Sequence, residues 1–74
     1  MNKERRKNIS NVASKIEKMN DELQSLLDEE QDYFDNIPEN LQGSERAADA
    51  EMYIDILTEA VDLISEAIEK LTEV

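Results

Sequence analysis

Carboxylates are the most numerous groups in this chain able to do chemistry, and their densest run is "DEEQDYFDNIPE", residues 28–39. Oxygen ligands recur there at Asp28, Glu30, Asp32, Asn36 and Glu39, offsets that superficially match a calcium loop. Such a loop needs glycine at its sharp turn, where this sequence has Tyr33, and a helical apolar seam runs through its first half. Calcium is not expected to bind. With no cysteine and no histidine, thiolate and imidazole metal sites are excluded, as are di-metal bundles of the Glu-x-x-His type. General acid-base or nucleophilic catalysis requires a perturbed group in a water-excluded pocket, which a narrow bundle of aliphatic side chains does not offer. The expectation is a protein with no catalytic residue, no metal site and no cofactor.

The second carboxylate array is longer and more regular. Glu51, Asp55, Glu59, Asp62, Glu66, Glu69 and Glu73 step by three or four residues, which puts them in one stripe on a helix. Like charges at those spacings cost a few tenths of a kcal/mol each, and a helix built for solubility alone would intersperse lysine. One reading is a solvated face; the other is a surface recognised by a basic protein. Carboxylates about 6 Å apart along a helix resemble the phosphate spacing of a nucleic-acid strand, the physical basis of a nucleic-acid mimic.

These groups need elements to position them, and the pattern is helical almost throughout. A first helix is expected over about 3–34, with Ile9, Val12, Ile16, Met19, Leu23, Leu26 and Tyr33 as its seam, Glu30 interrupting it, and Ala13, Leu27 and Phe34 flanking it. A second helix, about 44–73, carries Ala50, Tyr53, Leu57, Ala60, Ile64, Ala67, Leu71 and Val74 in the same three-four alternation, with Ile54, Val61 and Ile68 beside them. Between them the one proline and one glycine fall in a turn at 35–43. Pro38 suits the first position of a short helical turn, Gly43 can end it in the left-handed conformation, and Ser44 caps the second helix with Glu45 on its dipole. Ile37 and Leu41 are expected to fold under as an apolar plug.

A short connection makes the helices antiparallel neighbours, so the fold class is all-α, an antiparallel helical hairpin in a single domain, 1–74. A chain of 74 residues buries little apolar surface alone, and without disulfides or metal the remaining aid is association. The first helix has mostly one apolar stripe, whereas Ile56 and Leu63 widen that of the second beyond what one neighbour covers. Two hairpins are therefore expected to dimerise into a four-helix bundle through Tyr53, Ile56, Leu57, Ala60, Leu63, Ile64, Ala67 and Leu71, the competing reading being that this face docks on another protein. A second candidate contact is a patch at the turn made of Asp32, Tyr33, Phe34, Asp35, Ile37 and Leu41, since aromatics dominate interface energetics; the alternative is that its aromatics close the end of the core.

Charge is split along the chain. Residues 1–20 hold six bases against two acids, and residues 21–74 hold two bases against seventeen acids, for a net charge of −11. So acidic a chain is repelled by nucleic-acid phosphates and anionic membrane, which points to a basic protein as partner rather than to nucleic acid or lipid. Antiparallel pairing would set Arg5, Arg6 and Lys7 beside Glu69 and Glu73. The basic start is not followed by an apolar run, so it is not read as a signal peptide, and no stretch has transmembrane length. A soluble, intracellular protein is expected.

The run "DEEQDYFDNIPENLQGSERAADAE", followed by repeats of the "AVDLISEAIEKL" type, resembles a group of short helical proteins encoded by bacteria and their bacteriophages. The likeness covers roughly 28–71, and the turn is its specific part. It implies a small cytoplasmic, phage-associated protein, and small acidic phage proteins often block a host factor. The expected function is thus a non-enzymatic interaction module that binds and inhibits a host protein, in the manner of a nucleic-acid mimic. The alternatives are a structural oligomer without inhibitory activity and an oligomer that sequesters a small anionic ligand through Arg5, Arg6 and Lys7.

Overall fold

The computed structural model describes residues 1–74 and contains two long helices, α1 (Lys3–Asp35) and α2 (Glu45–Leu71), joined by a single 3-10 turn at Glu39–Leu41. They pack side by side as an antiparallel hairpin, a rod 59 × 14 × 12 Å. No helix is long and apolar enough to cross a membrane.

Both helices begin on a capping side chain, and α1 ends on a sequence signal as well. Asn2 caps α1, its Oδ1 accepting from the Arg5 amide at 2.7 Å, and Ser44 caps α2, its Oγ accepting from the Ala47 amide at 3.2 Å. Each cap satisfies an amide left without an intrahelical acceptor. α1 stops at Asn36, whose side chain donates to the Asp32 carbonyl at 2.8 Å, two residues ahead of Pro38. Extended backbone is favoured immediately before a proline, so the helix does not run on.

The turn differs from expectation at three residues. Pro38 stands just before the 3-10 turn, with φ −53° and ψ 143°, and its carbonyl accepts from the Leu41 amide at 2.8 Å. Gly43 has no positive φ, so the left-handed ending is not used. Gln42 takes over that work: its Nε2 donates to the Ile37 carbonyl at 2.9 Å and reaches the Phe34 carbonyl at 3.4 Å, tying the turn back to the end of α1. The expected plug forms only in part, since Ile37 is half-buried and Leu41 is exposed.

The seam between the helices is offset by one residue from the expected one. On α1 the inward rows are Ile9, Ile16, Leu23 and Glu30 with Ala13, Asn20, Leu27 and Phe34. Val12, Met19, Leu26 and Tyr33 are instead 43–68% exposed. On α2 the inward positions are Ala47, Ala50, Ile54, Leu57, Val61, Ile64, Ile68 and Leu71. Both sets alternate by three and four, as helices packed along their length require. Only Leu27, Ala47, Ala50 and Val61 are buried, and no large side chain completely so, which leaves the hairpin's own core one thin line. Ala47 and Ala50 are small enough to let the backbones approach closely at the turn end.

One polar pair fixes the register of that line. Asn20 Nδ2 donates to Ser65 Oγ at 3.1 Å across the two helices, while Asn20 Oδ1 is buried with no partner. With a rise of about 1.5 Å per residue, Glu73 falls level with residue 12 of α1. The segment from Lys3 to Asn11 therefore overhangs the end of α2. Arg5, Arg6 and Lys7 lie on this overhang, away from Glu69 and Glu73, contrary to the expected pairing. The sole ion pair in the chain is Lys70 with Glu73 on α2, at 3.5 Å.

Candidate interaction surface

The row displaced from the seam does not scatter over α1. Val12, Met19, Leu26 and Tyr33 recur every seven residues and so form a straight line along the rod. On α2 the matching line is Tyr53, Ala60, Ala67 and Val74, again seven apart, with Ile56 and Leu63 one row further round. Lys70 follows Ile56 and Leu63 at the same heptad position and ends that outer row.

Near the turn one groove brings the two lines onto the same side of the hairpin, and a second follows the α1 line further along. An open groove of about 370 Å³ near the turn is lined by Tyr33 of α1 and Tyr53 of α2, with Glu30, Arg46 and Asp49 among its walls. A second, of about 390 Å³ midway along, is lined by Ile16, Met19, Leu23 and Leu26 of α1 with Ile64 of α2. A third, about 380 Å³, continues from Tyr33 past Ile37, Pro38 and Leu41. Together they follow one side of the rod, apolar midway along and edged near the turn by Glu30, Glu45, Arg46 and Asp49. Monomeric proteins rarely leave so large an apolar patch open.

The residues expected at an oligomer interface divide between two faces. Tyr53, Ile56, Leu63 and Ala67 are exposed on the open face and Ala60 is half-buried at its edge. Leu57, Ile64 and Leu71 belong to the seam against α1, where they are half-buried, so they serve the hairpin first. The α1 contribution is not legible in the sequence, because the spacing of Val12, Met19, Leu26 and Tyr33 fits the seam equally well.

The turn patch divides likewise. Phe34 turns into the seam, Tyr33 and Leu41 lie on the open face, and Asp32 and Asp35 are exposed. Asp35 accepts from Gln31 Nε2 at 3.0 Å.

Glu51, Asp55, Glu59, Asp62, Glu66, Glu69 and Glu73 are all exposed. At about 100° per residue, the row Asp55, Asp62 and Glu69 lies nearly opposite Tyr53, Ala60 and Ala67 around α2. The row Glu59, Glu66 and Glu73 rims Ile56 and Leu63. The two rows make one acidic arc on the outer side of α2, so apolar face and acidic arc can be occupied at the same time. No cluster of three or more Asp or Glu is arranged to hold a metal ion. No family model, curated protein or solved structure matches the chain, so its functional reading rests on these surfaces.

Proposed function

We propose that the chain is a non-enzymatic interaction module that associates with a second copy through the open apolar face and presents its acidic arc to a basic protein. The observation that supports this reading is the continuity of Val12, Met19, Leu26 and Tyr33 with Tyr53, Ile56, Ala60 and Leu63 on one side of both helices. Seven of these eight are large side chains 43–68% exposed, enough with their polar rim to approach the ~800 Å² per partner of a standard stable interface. Covering this face would also supply the second layer of core that a 74-residue hairpin lacks.

The acidic arc is what such an assembly keeps in solvent. Its carboxylates, one helical turn apart, suit a groove built for phosphates, so a basic nucleic-acid-binding protein is the proposed partner class and blocking that groove the proposed effect. The resemblance to phage-encoded helical proteins adds that the partner would be a host protein in the bacterial cytoplasm.

Light scattering tests the first half of the reading. The chain is expected at twice 8.5 kDa or a higher multiple, and Leu63→Glu, at a position already open to solvent, is expected to give folded monomers. A native chain that stays monomeric at tens of micromolar would refute self-association. For the second half, capture from bacterial lysate compares the native chain with one carrying Asp55, Glu59, Asp62 and Glu66 as Asn or Gln. A protein held by the native form alone, and released by salt, supports the arc as the working surface; equal capture moves the contact to Tyr33, Phe34 and the turn, and no capture favours a purely structural oligomer.

A further inference from the structure

We infer that the two copies pair head to tail, the overhanging start of α1 in each lying along the acidic turn of the other; this rests on the self-association proposed above. Two hairpins can bring their apolar faces together with full overlap in two ways. Either the two turns sit at the same end of the bundle or they sit at opposite ends. The apolar lines alone do not choose, because both arrangements superpose Val12–Tyr33 on its counterpart span.

Charge chooses. Cut at the Asn20–Ser65 level, the half of the rod that contains the turn, residues 21–64, holds fourteen acids and only Arg46, a balance of −13. The other half, residues 1–20 and 65–74, holds seven bases against five acids, a balance of +2. Turns at the same end would place two halves of −13 face to face within a Debye length of about 8 Å, where screening is weakest. Turns at opposite ends place each −13 half against a +2 half.

The overhang makes the match local as well as global. When the lines Val12–Tyr33 of the two copies superpose in opposite directions, residue 12 of one is level with residue 33 of its partner. Residues 3–11 then run past Tyr33 over the partner's turn. Lys3, Arg5, Arg6 and Lys7 have no carboxylate within ion-pair distance in their own hairpin. In this arrangement the partner's Asp35 is level with residue 10, and the four bases lie past it alongside the turn, with Arg5 level with the partner's Glu45 by the Asn20–Ser65 register and the partner's Glu39 close by. The two free partners, an unpaired basic overhang and an acidic turn, are thus supplied by one operation.

The chain has no cysteine, so single introduced cysteines report the arrangement without background. A spin label at Asn40→Cys, in the exposed turn, gives the turn-to-turn distance by pulsed electron resonance. Head-to-tail pairing is expected to give roughly 50 Å, from about 1.5 Å per residue, approaching the 59 Å length of the rod. Mixing singly labelled Asn8→Cys and Asn40→Cys chains is expected to give a short distance between copies. A turn-to-turn distance of about 10–20 Å in a confirmed dimer would overturn the orientation and leave self-association standing. Absence of dipolar coupling together with a monomeric mass would overturn both.

Discussion

At the residue scale, Asn20 has the largest structural consequence. It occupies an inward heptad position among aliphatic side chains, spends one amide hydrogen on Ser65 and leaves Oδ1 buried and unpartnered. An unmet buried acceptor costs about 1–3 kcal/mol, and a polar residue in an otherwise apolar seam is a recognised device for fixing register. Asn20→Leu is therefore expected to raise the unfolding free energy by about 1–2 kcal/mol in denaturant titration, while loosening the alignment of α1 on α2. A loss of stability would mean that the Asn20–Ser65 bond outweighs the orphaned oxygen. Nothing in the sequence marks Asn20 as inward, since a polar residue beside an apolar seam is ordinarily solvated. Gln42 was equally illegible, since nothing in its type marks it as the group that closes the turn in place of a left-handed Gly43.

At the scale of the elements, the helix ends and the turn were legible, because Ser44, Pro38 and the long apolar periodicities are local signals. The choice of inward rows was not. The rows 9-12-16-19-23-26 and 9-13-16-20-23-27 share every other member, and both are mostly apolar on α1, so periodicity alone leaves a one-residue ambiguity. The same holds on α2 for Tyr53, Ala60 and Ala67 against Ile54, Val61 and Ile68. What decides is the partner helix, through the approach of Ala47 and Ala50 at the turn end and the Asn20–Ser65 pair further along. Neighbouring leucines put this to the test. Leu27→Ala, in the seam, is expected to lose about 2–4 kcal/mol at any protein concentration. Leu26→Ala, on the open face, is expected to change the stability of dilute chains by well under about 1 kcal/mol and to weaken association instead. Denaturant titrations at two concentrations separate the two effects.

At the scale of the whole molecule, the turn is where the two helices are closest in sequence, so it is where closing the hairpin costs least chain entropy. Ala47 and Ala50 are buried beside it, and Gln42 and Ser44 brace it. The hairpin should consequently nucleate at this end and zip toward the chain termini, as structures dominated by local contacts do. The nucleus forms inside the half that carries −13, so the first contacts are made against mutual repulsion of carboxylates. Folding speed thereby becomes a property of the solvent's ions. In stopped-flow refolding, raising sodium chloride from low to physiological concentration is expected to speed folding severalfold and to leave unfolding nearly unchanged. A refolding rate indifferent to salt would place the nucleus at the opposite, nearly neutral end of the rod.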